Sequence, residues 1–315
     1  MTLPFSRWLC PMVLSLAVLS ACGPGEAVVG ADEDDAAERG QELVAGLRGR
    51  PLALDVAQWN VMWLGNTSFG PTDEAAQSAN VASLIRSANV DLWALQEVSS
   101  QAAFEGLVAA LPGYDGVSAT SPSVAGGTAH YSSQEQRPAL LFKRRALTVR
   151  AARLVPVADE SAFAGRPPLE VELTATINRK TLEFTVVVVH LKAGAGLDDR
   201  ARRQKASEEL AAHVATLSGA VLVLGDWNDE TTRSIVPGQP SPFANWPSDW
   251  SFLTRPLEVS GARSSVFGSF IDHATVNAAL APAAAGTSVF DPSSAFADYR
   301  HTTSDHFPVL HFFNL

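Results

Sequence analysis

Cysteine is nearly absent: the 315 residues include two, Cys10 and Cys22. Beyond Cys22 the chain can form neither a disulfide framework nor a thiolate metal site, so its apolar core must hold the fold. Positive charge is also short, with 23 Lys and Arg against 33 Asp and Glu and a net charge of −10. That balance argues against gripping nucleic acid through a broadly basic surface. It leaves room for a nuclease, which needs only a local basic path and a cation to offset phosphate repulsion. No apolar run is long enough to span a bilayer, and no internal repeat is present. What remains is an ordinary globular composition, 46% hydrophobic and 18% charged, able to build a sizeable core.

The first residues read as a targeting segment. Arg7 precedes an apolar run from Trp8 to Leu19 with the length of a signal-peptide core. The run ends in Leu19-Ser20-Ala21-Cys22, which resembles a bacterial lipobox. The expected organisation is a signal in 1–21, an acidic tether in 22–50 starting at a lipidated Cys22, and one catalytic domain in 51–315. A monomer held to the cell envelope by that lipid is expected, and Gly23 would permit the outer membrane.

From Pro51 on, apolar strands alternate with helical patterns. Strands are predicted at Leu52–Trp59, Val90–Leu95, Pro138–Phe142, Ala220–Leu224, Ile271–Val276 and Phe307–Phe313. Helices are predicted at Asp73–Ala88, capped by Thr72, at Ala102–Leu111, and at Asp198–Leu217, closed by Ser218-Gly219. Leu169–Ile177 and Thr181–Leu191, joined by Asn178-Arg179-Lys180, predict an antiparallel hairpin. Residues 114–136 read as a loop. A hairpin beside helix-linked strands predicts an α/β fold of mixed sheets with helices outside them.

Chemistry-bearing side chains end several of these runs. Asn60 and Glu97 offer hard oxygen donors suited to Mg²⁺ or Mn²⁺. Asp226 and Asn228, two apart after Gly225, would face one phosphate together in an extended segment. His190 and His306 are acid–base candidates, and Asp272 could hold the His306 ring. Arg137 suits bidentate phosphate contact. Each has a plainer alternative: Glu97 a strand-end acid, Asn60 and Asp226-Trp227-Asn228 turns, the histidines structural, Arg137 a solvated charge. Arg200, Arg202, Arg203 and Lys205 read mostly as a solvated helix face, with one of them a candidate to reach the substrate backbone or a nearby acid. Trp246 and Trp250 read first as packing residues.

In order, Trp59-Asn60, Gln96-Glu97, Arg137, His190-Leu191-Lys192, Gly225-Asp226-Trp227-Asn228, Ile271-Asp272-His273 and Ser304-Asp305-His306 resemble the endonuclease/exonuclease/phosphatase superfamily, the DNase I-like fold. The resemblance covers about residues 52–315. It implies a four-layer α/β sandwich of two packed mixed sheets between helices, with the site at one edge. It implies Asn60 and Glu97 as metal-binding positions, with Asp305 near the metal or its waters. Asp226 and Asn228 would orient nucleophile and phosphate, His190 and His306 would be the catalytic histidines, and Asp272 the partner of the second. Arg137 would contact phosphate. The DNase I-like branch of the family pairs its first histidine with a further glutamate that has no assigned counterpart here, Glu135 being the one candidate.

The expected reaction is Mg²⁺-dependent phosphodiester hydrolysis, with Mn²⁺ or Ca²⁺ as alternative ions. Nucleic acid is the leading substrate, cut by an exported nuclease. A phospholipid or sphingolipid phosphodiesterase, or a small-molecule phosphatase, is the alternative, and a non-catalytic binding lipoprotein is the third reading.

Overall fold

The computed structural model describes residues 53–132 and 135–315. The signal segment, Cys22 and the tether lie outside the described residues. Among the described residues no helix is long and apolar enough to cross a membrane.

Twelve strands form two six-stranded sheets. The first contains β1 (Ala53–Leu64), β2 (Leu92–Val98), β3 (Tyr114–Ser118), β4 (Arg137–Lys143), β11 (Ala284–Val289) and β12 (Val309–Asn314), in the order β11-β12-β1-β2-β4-β3. The second contains β5 (Leu147–Leu154), β6 (Leu169–Ile177), β7 (Lys180–His190), β8 (Ala220–Asp226), β9 (Ser251–Phe252) and β10 (Asp272–Val276), in the order β5-β6-β7-β8-β10-β9. Each sheet has one parallel pair near its centre, β1 with β2 and β7 with β8; the other neighbours run antiparallel. Both sheets are therefore mixed. The helices are α1 (Glu74–Ala88), α2 (Gln101–Ala109), α3 (Gly127–His130), α4 (Leu197–Val214), α5 (Arg255–Val259) and α6 (Tyr299–Thr302).

Period-two alternation sorts the side chains into layers. Leu54 and Val56 of β1, and Val186 and Val188 of β7, face the core between the sheets. Ala57, Trp59 and Val61 face outward against Val81, Leu84 and Ile85 of α1 and Phe104 and Leu107 of α2. Val187 and Val189 face outward against Ala206, Leu210 and Val214 of α4. The result is helix, sheet, sheet, helix. Trp246 and Trp250 pack edge-on in the outer layer, Trp246 on Trp227 at 5.1 Å and Trp250 on Trp246 at 5.7 Å between centroids.

Several local expectations shift. Asp73, not Thr72, caps α1, its Oδ1 accepting from Ala76 N at 2.9 Å. The hairpin turn is two residues, Asn178 and Arg179, both with positive φ (49° and 66°), the geometry that matches strand twist. The stretch read as a loop contains β3 and α3, while β5 and β11 answer to no predicted strand. α4 ends at Val214, before Ser218-Gly219. β11 and β5 sit at sheet edges, where one partner strand suffices and the sequence alternates weakly.

His311 on β12 is buried, and burial alone pushes its imidazole down to about 3. The unfolded chain takes up that proton near the ordinary 6.5, so the folded state resists protonation. The associated stability is present above 6.5 and lost as pH falls toward 3. Between neutral pH and pH 4, His311→Gln is expected to lose on the order of 3 kcal/mol less stability than wild type in urea titrations. Equal losses would leave His311 without a role in acid sensitivity.

Candidate active site and metal centre

The two parallel pairs end at the same edge of the sandwich. Asn60 ends the regular part of β1, Glu97 lies near the end of β2, and His190 and Asp226 terminate β7 and β8. Register sets His190 opposite Asp226, and Asp226 opposite Asp272. By alternation His190, Asp226 and Asp272 share the inter-sheet face with Val188, Leu224 and Ala274.

Glu97 breaks that rule. Its parity matches Leu95, which faces the outer helical layer. The pairing of β2 with β4 slips between Leu95 and Val98, and Glu97 adopts φ 63°. The bulge swings its carboxylate back into the site. Met62 (47°), Trp63 (56°) and Asn228 (54°) also have positive φ. A left-handed non-glycine residue costs roughly 1–2 kcal/mol, and these four cluster where side chains must be aimed against the pleat.

The side chains meet closely. Asn60 Nδ2 donates to Glu97 Oε1 and to Asp226 Oδ2, both at 3.0 Å. Its Oδ1 accepts from Met62 N at 3.0 Å, and Trp63 N donates to Glu97 Oε2 at 3.0 Å. His190 Nε2 lies 3.6 Å from Glu97 Oε1 and 3.5 Å from Asp226 Oδ2. His306 Nδ1 lies 2.8 Å from Asp272 Oδ2, and its Nε2 lies 3.8 Å from Asp226 Oδ2 and 4.0 Å from Asp305 Oδ1. The last loop is tied to β1: Ser304 Oγ donates to Asn60 O at 2.6 Å, and Trp59 Nε1 to His306 O at 3.0 Å.

Asn60 clamps the two carboxylates through Nδ2 while its Oδ1 accepts from Met62 N. The geometry corrects two other details. Asn228 is not extended: its N–H donates to Asp226 Oδ1 at 2.9 Å, an Asx turn, and its Nδ2 to Leu191 O at 3.1 Å. Turn and site coincide. Arg137 is buried, and its Nη1 donates to Ser99 O at 2.5 Å and its Nη2 to Ser132 O. It braces the end of β2 behind Glu97 instead of facing a phosphate. Lys192 turns away to Asp199, at 3.0 Å. Glu135 accepts from Ser132 N, while His190 Nδ1 is buried with no hydrogen-bond partner among the described residues.

One arginine escaped the sequence reading. Arg166, between β5 and β6, donates through Nε to His190 O at 3.3 Å, through Nη2 to Leu191 O at 2.8 Å and through Nη1 to Gln136 Oε1. Its guanidinium interacts with the charges of Glu97 and Asp226. The only signal was a lone Arg before Pro167-Pro168 at a strand start. Arg203, one of four cations on a helix face read as mostly solvated, is the one that reaches an acid, and it is fully buried. It pairs with Asp229 at 2.8 Å and donates to Lys192 O and Gly194 O at 2.8 Å. It thus ties the loop after His190 to the loop after Asn228.

The electrostatics separate the two histidines. Burial, then the nearby Arg166 charge, holds His190 well below its usual range, so its ring is neutral. Burial also opposes charge on His306, but Asp272 and Asp226 outweigh it and raise the ring well above that range. Burial, countered by His306 and reinforced by Asp272, lifts Asp226 to about 7. Burial likewise raises Glu97, against the Asn60 hydrogen bond. One imidazole is a cation and the other is not, as acid–base division of labour requires.

Ligand atoms of Glu97, His190 and Asp226 all lie within 4.8 Å of one another, as do those of Asp226, Asp272 and His306. Crowded hard oxygens with raised proton affinity are relieved by a cation, so this donor set fits a divalent ion. Glu97 and Asp226 are the residues placed to hold it, with Asp305 on the His306 side.

A family model described as the Endonuclease/Exonuclease/phosphatase family matches residues 57–306. Among curated proteins none matches by sequence. Solved structures share the fold. TDP2 of D. rerio complexed with single strand DNA product is 13% identical with a TM-score of 0.59, covering 84% of this chain and 99% of that one. The human Nocturnin catalytic domain with bound sulfate is 18% identical with a TM-score of 0.56, covering 84% and 95%. An endonuclease/exonuclease/phosphatase from Bacteroides vulgatus is 15% identical with a TM-score of 0.57, covering 84% and 99%.

Proposed function

Because the chain belongs to the endonuclease/exonuclease/phosphatase family, we propose that it is a divalent-metal-dependent phosphodiesterase acting on nucleic acid. The observation that carries this reading is the Asp226 carboxylate set between a neutral and a charged imidazole, 3.5 Å and 3.8 Å away, with Glu97 beside them. A Mg²⁺-class ion held by Glu97 and Asp226 would supply charge neutralisation to the phosphate and leaving oxygen. Asp226, with Asn60 on its Oδ2, orients the attacking water, and the neutral His190 ring 3.5 Å away accepts its proton. His306, braced by Asp272, carries a positive charge and a proton toward the leaving oxygen. Arg166 is the guanidinium beside the site: its charge interacts with Glu97 and Asp226 while its nitrogens are held by His190 O, Leu191 O and Gln136 Oε1. Asn228, fixed by its turn, lines the same wall.

Nucleic acid is favoured over lipid because a structural neighbour of this fold was captured with a single-strand DNA product. Export and anchoring at Cys22 belong to the same reading and rest on the Arg7-to-Cys22 pattern. The test is hydrolysis of plasmid DNA, RNA, sphingomyelin and a generic phosphodiester, each with Mg²⁺ and with EDTA. Mg²⁺-dependent cutting of DNA or RNA is expected. Cutting of sphingomyelin alone would replace the substrate, and cutting of none would leave a binding protein.

A further inference from the structure

Large apolar side chains are exposed at Phe69, Leu197, Val259 and Phe267. Three of them lie on segments that adjoin the site, Phe69 and Phe267 on loops and Leu197 at the first position of α4. Phe69 follows Asn60 on the β1–α1 loop, Leu197 follows His190, and Phe267 precedes Asp272. Phe267 also sits beside the catalytic loop: Ser265 bridges to His306, and Val266 N donates to Asp305 O at 2.9 Å.

Two of these rings are organised as flat platforms. Phe69 stacks on Trp63 with centroids 4.8 Å apart and planes 29° apart, yet stays 58% exposed. Trp63 is the residue whose N–H binds Glu97 Oε2. The loop is held, since buried Asn66 accepts from Ser68 N at 2.8 Å and Phe69 N at 3.1 Å through its Oδ1. Phe267 has the Arg300 guanidinium 4.7 Å over its centroid and stays 63% exposed. Arg300 lies on α6, just before Ser304-Asp305-His306. One aromatic platform is therefore anchored to the Glu97 side of the site and another to the His306 side.

We propose that these pairs are base-stacking platforms, and that the substrate is a strand whose nucleotides beside the scissile phosphate are unpaired. This rests on the nucleic-acid reading above. A ring or guanidinium face stacks on any base, but base faces are available only where a strand is single or splayed. A lipid surface fits the rim less well. The exposed apolar groups are carried by separate segments of the chain, with Thr67, Ser68, Asp198 and Arg300 as polar neighbours in sequence or contact.

The test compares wild type with Phe69→Ala and Phe267→Ala on a single-stranded oligonucleotide, on the same strand with abasic residues flanking the cut, and on the blunt duplex. Each variant is expected to lose roughly ten-fold in kcat/KM on the base-bearing strand, largely through KM, and nothing on the abasic strand. Wild type is expected to prefer the single strand to the duplex. In EDTA, a strand carrying 2-aminopurine beside the cut position is expected to be quenched on binding wild type and not the variants. Equal losses on base-bearing and abasic strands, no loss at all, or preference for the duplex would overturn the platforms. So would loss of binding to sphingomyelin vesicles as the only defect. Quenching without cleavage by any metal would keep the platforms and reject the hydrolase.

Discussion

Glu97→Gln is expected to lower Mg²⁺-supported turnover by on the order of 10³-fold, with the thermal midpoint close to wild type. The amide keeps the shape that accepts from Asn60 Nδ2 or Trp63 N, so one of the two hydrogen bonds survives. It also removes one of the crowded carboxylates that burial drives toward protonation, which offsets the lost bond. What it cannot keep is the negative charge that would hold a divalent cation beside Asp226. Turnover against Mg²⁺ concentration, with calorimetry on the same sample, separates the two effects. Full activity in the variant would reject Glu97 as the metal anchor, and collapse of the fold would make its role structural.

The second large effect is expected at Asp272, which does not have to touch substrate. Its Oδ2 holds His306 Nδ1 at 2.8 Å, and its charge keeps the ring protonated against the cost of burial. Asp272→Asn retains the shape but not the charge, and turnover is expected to fall roughly 10²- to 10⁴-fold. The sign follows from the raised proton affinity. A His whose folded value is raised contributes stability below its ordinary range, and that stability is lost as pH rises through the folded value. Without the Asp272 charge, burial is opposed by Asp226 and Asp305 alone, so the His306 titration seen by NMR is expected to move down. The alkaline limb of the activity profile is expected to move down with it. An unchanged His306 titration would remove the charge argument even if activity fell.

These expectations separate what the chain states locally from what it states only when folded. The strand runs ending at Asn60, His190 and Asp226 are legible because apolar side chains alternate or run together and stop at a polar residue. The hairpin is legible because Asn178-Arg179 interrupts two β-rich runs. Edge strands β5 and β11 are not, since a strand with one partner needs little apolar patterning. Arg203 reads as part of a mostly solvated helix face because charged residues surround it in sequence. Only the packing of α4 on the second sheet reveals that it lies beside buried Asp229.

The site divides in the same way. The order of Asn60, Glu97, His190, Asp226, Asp272 and His306, and the family they mark, were determined by the amino-acid sequence alone, because hard donors and imidazoles at strand ends need no contact to be recognised. The aim of Glu97, the burial of Arg137 behind β2, the position of Arg166 beside Glu97 and Asp226, and the opposite charge states of His190 and His306 were decided by tertiary structure. A backbone bulge and a desolvated charge pair are set by neighbours far away along the chain, and no local window of residues contains them.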